Sequence, residues 1–226
     1  MMEGSRPAPQ EYDLRPRDAS TWYRLLLTLQ ALLRSASPPK RPHSPPPRSL
    51  HPRPNAHTQM PDTAQDWIDH HTLERHPEGG YYRETYRTDE TLPTDALPDR
   101  FGGPRDVAAL IYFLLPADAF SALHRIQQDE VWHFYTGVLL TLHQIAPDGT
   151  YTTQTLGRAV TEGQKLHAVV PAGTWFGATV EADAGYGLAG CTTAPAFEFE
   201  DFELAEQEAL TETFPQHRGV IERLTR

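Results

Sequence analysis

The residues best suited to chemistry are a histidine and a glutamate, His124 and Glu130, in the string SALHRIQQDEVWHFYTG (121–137). A histidine and a carboxylate held in apolar surroundings can exchange protons with a substrate, because burial and pairing move their pKa values toward neutrality. Arg83 or Arg125 would hold an anionic group of such a substrate. The aromatic residues Trp132, Phe134, Trp175 and Phe176, with Tyr82, supply core or pocket wall, as large apolar side chains do in β-barrels. A bland reading competes: His124 and Glu130 hydrogen-bond each other and only brace the fold.

Other candidates carry less. Cys191, in the apolar string GLAGCTTA, reads as a small buried residue. Ser121 lies three residues from His124, which on a regular strand puts the two on opposite faces, and no G-x-S-x-G elbow exists. His76-Pro77-Glu78-Gly79-Gly80 lacks the glycine spacing, lysine and following helix of a phosphate loop, and reads as a tight turn leading into a strand. The acidic series Glu198, Glu200, Asp201 and Glu203 alternates partly with Phe197, Phe199 and Phe202, the pattern of a half-buried strand with a solvated face.

The elements that position these residues are mostly strands. Short β-branched and aromatic runs are expected near 80–87, 107–115, 121–126, 131–135, 139–145, 150–156, 165–170, 176–180, 186–193 and 197–204. Explicit turns separate them at Thr136-Gly137, Pro147-Asp148-Gly149, Pro171-Ala172-Gly173 and Asp183-Ala184-Gly185. Helical periodicity is confined to 64–71, capped by Asp62 or Thr63, and to 205–213 and 220–224. The expected class is all-β, a sandwich or barrel with short terminal helices. If Glu130 points inward, Trp132 and Phe134 follow it while His133 and Tyr135 point away.

Composition narrows the function. The chain has 226 residues, 20 Lys plus Arg against 30 Asp plus Glu, and one cysteine. A net charge of −10 argues against nucleic acid, whose phosphates need clustered cations. One cysteine excludes a disulfide framework within the chain, and no apolar run reaches the roughly 18 residues of a membrane span. A cytoplasmic protein is expected. The charge is unevenly spread: residues 1–59 hold nine Lys plus Arg, four Asp plus Glu and 11 of the 21 prolines. This Pro/Arg-rich stretch is expected to be a disordered tail, and 60–226 a single domain. Thr21–Arg34 has the pattern of a short amphipathic helix, but Met60 is a second plausible start, so the tail is read as upstream sequence from a misassigned start.

Two motifs carry a resemblance to the cupins, which are double-stranded β-helix jelly rolls. His124-Arg-Ile126, three residues, Glu130, six residues, Gly137 follows the first cupin motif with Ile126 at its second histidine. Gly163 followed by Pro171-Ala-Gly173-Thr-Trp-Phe176 follows the second, with Phe176 at its histidine. The strings HPEGGYYRETYR (76–87), LTLHQIAPDG (140–149), VPAGTWFGATVE (170–181) and GCTTAPAFEFEDFELA (190–205) resemble the DUF985 group of cupins. The resemblance implies a compact, dimeric cupin whose role must be argued from its site. Metal binding needs three or four converging ligands, and only His124 and Glu130 survive from the motifs. No cofactor is therefore expected; a divalent metal would need rearranged ligands such as His133, His143 or His167. The expected function is metal-free acid–base catalysis, of the isomerase or epimerase type, on a polar or sugar-like metabolite. The alternatives are a non-catalytic small-ligand binder and a metal-dependent cupin oxygenase. Gly80–Arg87 is the strand expected to pair with a second copy in a homodimer.

Overall fold

The structure, a computed structural model, describes residues 63–226. The expected tail over 1–59, with its helix at Thr21–Arg34, lies outside the described residues. Helix α1 (Ala64–His71) begins where Thr63 and Asp66 form a reciprocal capping box: the Thr63 hydroxyl accepts from the Asp66 amide, and the Asp66 carboxylate accepts from the Thr63 amide. Thr72, in the left-handed region at φ 52°, ends it. The helix buries Trp67 with Leu73 against Leu114 and Leu188, and the Trp67 indole donates to the Tyr186 hydroxyl at 2.7 Å.

Two antiparallel sheets face each other. The larger has the order β1 (Glu74–Arg75), β2 (Tyr81–Arg87), β5 (Ala109–Pro116), β12 (Tyr186–Thr193), β7 (Glu130–Gly137) and β10 (His167–Val170). The smaller runs β13 (Glu203–Leu204), β6 (Phe120–Arg125), β11 (Trp175–Val180), β8 (Leu140–Ile145) and β9 (Tyr151–Leu156). A separate hairpin joins β3 (Thr91–Leu92) to β4 (Arg105–Asp106). The expected all-β jelly roll with short terminal helices is thus what the chain forms, since strands of period two leave one apolar face each and two such faces cover one another.

Phe113, Leu115, Trp132, Phe134, Leu142 and Phe176 fill the space between the sheets. Helices α2 (Gln207–Thr213) and α3 (Arg218–Arg223) cover the outer face of the smaller sheet, where Leu123, Ile145, Trp175, Leu210, Phe214 and Ile221 form a second core. Among the described residues no helix is long and apolar enough to cross a membrane.

The expected strand over 197–204 is corrected. Phe199–Asp201 is a 3-10 turn, and only Glu203–Leu204 joins a sheet. The reason is Asp201, which turns inward to take two hydrogen bonds from the Arg105 guanidinium, at 2.8 and 2.7 Å, and a third from Gln128 at 2.6 Å. Gln128 also donates to the Ala196 carbonyl at 3.1 Å, so the whole 196–202 segment is clamped over one end of the sandwich. A buried carboxylate bound this way leaves a stranded guanidinium when removed. Asp201→Ala is expected to lower unfolding free energy by about 3 kcal/mol, measured by urea denaturation.

Candidate functional site

Beneath that clamped segment lies a cavity of about 290 Å³, walled by β2, β5, β6, β7 and β12 and closed by the aromatic rings of Phe197, Phe199 and Phe202. Its polar end is built by a turn. The His76 amide donates to the Gly80 carbonyl and the Gly79 amide to the His76 carbonyl, with Gly79 and Gly80 at φ 115° and 72°. A Cβ on Gly80 would lie 2.7 Å from the Leu114 carbonyl oxygen, so the close approach needs glycine. The Ala122 amide donates to the Glu78 carbonyl at 2.8 Å, drawing the turn onto β6.

Glu78 is thereby buried at the cavity wall. One carboxylate oxygen accepts from the Ser121 hydroxyl at 2.8 Å; the other lies 3.0 Å from His124 Nε2 and 3.3 Å from His76 Nδ1. His124 Nδ1 is 2.8 Å from the Ala122 carbonyl, which can only accept, so that nitrogen carries a proton. Nε2 faces a carboxylate and must also donate. His124 is therefore an imidazolium: burial opposes its charge, but Glu78 and the Ala122 carbonyl raise its pKa above the ordinary value. Burial likewise opposes ionisation of Glu78, yet the charge and hydrogen bond of His124, with His76, hold its carboxyl far below the usual range.

Glu130 stands beside this ion pair without a salt bridge of its own. Burial, and then the negative charge of Glu78, raise its pKa to about 7, against the smaller attraction of His124. The Trp132 indole faces the same way along β7, and its N–H beside the carboxyl eases the rise less than His124 does, though Nε1 meets no partner in full hydrogen-bonding geometry among the described residues. Cys191, opposite Trp132 on β12, lines the cavity as a buried thiol, its pKa pushed up by burial and by Glu130.

At the mouth, Arg87 is wholly occupied. Its Nε reaches both Glu84 oxygens at 3.2 and 3.1 Å, Nη1 donates to Asp106 at 3.1 Å and Glu198 at 2.9 Å, and Nη2 donates to the Phe197 carbonyl at 3.0 Å and ion-pairs with Glu84 at 2.9 Å. Each of its three nitrogens is thus engaged by an acceptor.

Of the residues singled out in the sequence, the structure gathers His124, Glu130 and Trp132 at this cavity, while Phe176 backs the His124 ring at 4.0 Å. The others lie elsewhere. Arg83 donates to the His71 carbonyl, and Arg125 pairs with Glu203 while stacking on Trp175 at 4.6 Å, outside the cavity. Trp175 belongs to the outer core and Phe134 to the inner one. The pairing itself is corrected: His124 binds Glu78, not Glu130. Ser121 and His124 share one carboxylate because β6 bulges, so that Phe176 faces His124 but Ala178 faces Ser121. The extra residue restores a common face that regular alternation forbids. Glu78 and His76 were missed as site residues; the available signal was an acid just before a Gly-Gly pair able to pack closely.

The residues do not fit a metal. Ile126 and Phe176 offer no ligand atoms, and His143 is held on the outer face between Tyr151 and Thr179 hydroxyls, with burial lowering its pKa to about 4. His133 bonds the Thr192 hydroxyl and His167 is exposed. Among the described residues no three His, Cys, Asp or Glu side chains converge as ligands.

The raised pKa of Glu130 has a sign. The folded chain holds a proton there that the unfolded chain releases above the ordinary value of 4.5, so this group makes stability fall as pH rises from about 4.5 to 7. Glu130→Gln removes that loss. It is expected to melt roughly 5 °C above the parent at pH 8 and level with it near pH 4, measured by differential scanning calorimetry.

Comparison with known proteins agrees with this architecture. Residues 65–205 match the family model described as Cupin superfamily (DUF985). A crystal structure of a Shewanella oneidensis protein is 40% identical, with a TM-score of 0.64, covering 73% of this chain and 98% of that one. A hypothetical protein from Leishmania major is 36% identical with a TM-score of 0.67, over 73% of this chain and 99% of its own. An uncharacterized yeast protein, YML079W of Saccharomyces cerevisiae, is 27% identical over 152 residues, 63% of this chain and 75% of that protein. With the jelly roll, the two motif strings and the match over most of the domain in agreement, the chain belongs to the DUF985 family of the cupin superfamily.

Proposed function

We propose that the cavity is the active site of a metal-free acid–base isomerase acting on a small polar, carbohydrate-like metabolite, with Glu130 as the proton carrier. The observation that supports it most directly is a buried carboxyl, in no salt bridge among the described residues, whose pKa of about 7 lets it both take and return a proton near neutral pH. His124 cannot share that task, because both its ring nitrogens are bound, to Ala122 and Glu78. It works as a positioning residue: it keeps Glu78 ionised, and that charge helps keep Glu130 protonated. Glu130 as carboxylate removes a proton from the carbon beside a carbonyl. The Trp132 indole N–H hydrogen-bonds the resulting enolate oxygen; Glu130 then returns the proton to the former carbonyl carbon while the neighbouring hydroxyl's proton passes to the enolate oxygen, leaving the carbonyl one carbon along. One carboxyl acting from one side suits isomerisation better than a two-base epimerisation.

The test is deuterium exchange into a panel of hydroxy-aldehydes and hydroxy-ketones in D₂O, followed by NMR. Glu130→Gln is expected to lower exchange by at least 100-fold while the variant stays folded. Exchange should rise with pH through about 7, as the base form accumulates. Wild-type exchange in Glu130→Gln would refute the assignment.

We propose also that the chain is a homodimer. Strand β1 pairs with only Tyr81 and Tyr82 of β2, leaving the outer edge beyond them without a partner strand among the described residues, and Tyr86 there is 55% exposed. Multi-angle light scattering at micromolar concentration is expected to give twice the chain mass; a monomer overturns the proposal.

A further inference from the structure

The charges at the cavity restrict what can enter it, whatever chemistry follows. Four carboxyls line it, Glu78, Glu84, Glu130 and Glu198, against one guanidinium and two imidazoles. All three basic groups are already bound to those same carboxyls: Arg87 to Glu84 and Glu198, and His124 and His76 to Glu78. Every nitrogen of Arg87 is already engaged by Glu84, Asp106, Glu198 or the Phe197 carbonyl, and neither arginine expected from the sequence to hold an anion reaches the cavity. An anionic ligand would have to break the clamp at the mouth and then lie against the remaining acids.

The rest of the wall suits a cation. Tyr82, Phe113, Trp132, Phe197 and Phe202 present aromatic rings around the space, and ring faces attract ammonium groups. A second observation points to a ligand atom. Trp132 is 1% exposed, and its indole Nε1, beside the Glu130 carboxyl, has no partner in full hydrogen-bonding geometry among the described residues.

We infer that the cavity takes a small hydroxylated organic cation, an amino alcohol or amino sugar, whose ammonium sits among the aromatic rings and carboxyls while its oxygen accepts from Trp132. The inference rests on the cavity being the ligand site and deepens the reading above by naming the substrate's charge. It removes phosphate-bearing sugars from that reading.

The groups facing Glu130 are Glu78 and His76 from the turn, His124 from β6, Trp132 from its own strand and Cys191 from β12. Glu84, Arg87 and Glu198 stand at the mouth. Ionising Glu130 adds a full negative charge to the acidic side and nothing to the basic side, so cation binding tightens as pH rises through about 7.

The test compares three probes of one shape: choline, its neutral carbon analogue 3,3-dimethylbutan-1-ol, and the anion 3,3-dimethylbutanoate. Binding to the full chain is read from the Trp132 indole N–H resonance and by calorimetry. Choline is expected to bind at least tenfold more tightly than the alcohol at pH 8, with the anion not binding. That preference should shrink several-fold at pH 5.5, and in Glu130→Gln it should no longer change with pH. Equal or tighter binding of the alcohol or the anion overturns the inference, as does failure of choline to shift the Trp132 resonance at 100-fold excess. The deuterium-exchange assay is a separate readout. Choline binding without exchange in any substrate sinks the catalytic reading alone, and exchange on neutral or anionic substrates without choline binding sinks this one alone.

Discussion

Everything at the polar end of this jelly roll depends on one buried ion pair, Glu78 with His124. Two charges taken out of water cost several kcal/mol each unless their remaining lone pairs and protons are bound. Here they are. Ser121 and His76 complete the carboxylate and the Ala122 carbonyl completes the imidazolium. The pair fastens the turn before β2 to the bulged strand β6, and so joins the two sheets at this end. It also sets the electrostatics next door, since the fixed negative charge of Glu78 is the second cause, after burial, of the raised pKa of Glu130.

A second clamp builds the far wall of the cavity. Asp201 bound to Arg105 and Gln128 holds the 196–202 segment across the sandwich, and Arg87 ties the same segment to β2 through Glu198 and the Phe197 carbonyl. The ring of Phe202 is thereby kept against both His76 and His124, and that of Phe199 against His76. Burial of Glu78, His124 and Glu130 is what gives their charges reach, because they are screened less in a low-dielectric interior. The two clamps divide the labour: one fixes the acid–base groups, the other fixes the wall that faces them.

The loss of the cupin ligand positions has a structural consequence as well as a chemical one. Phe176 sits where a ligand would, and its ring lies against His124 at 4.0 Å. Ile126 lines the cavity as an apolar surface. An apolar wall in place of two imidazoles raises the cost of an isolated charge, and the remaining carboxyls have answered it in opposite ways: Glu78 by pairing, Glu130 by holding its proton.

The sequence by itself determined the class of fold and most strand positions, because alternation and turn chemistry are local. Gly137, Gly149, Gly173 and Gly185 adopt the positive φ that their turns require. It determined that Glu130, Trp132 and Phe134 share the inward face of β7, since a strand's period is two. It did not determine who pairs with whom. Glu78 meets His124 from 46 positions away in the chain, and no local pattern encodes that distance. Ser121 and His124 share a face only because of a bulge, which one strand's sequence does not announce but its register against β11 shows. Arg83 and Arg125 have the right chemistry for an anion and point elsewhere, since their strands turn those positions outward. Local sequence decides which way a side chain faces within its own strand; only the closing of one sheet upon another decides what it meets there.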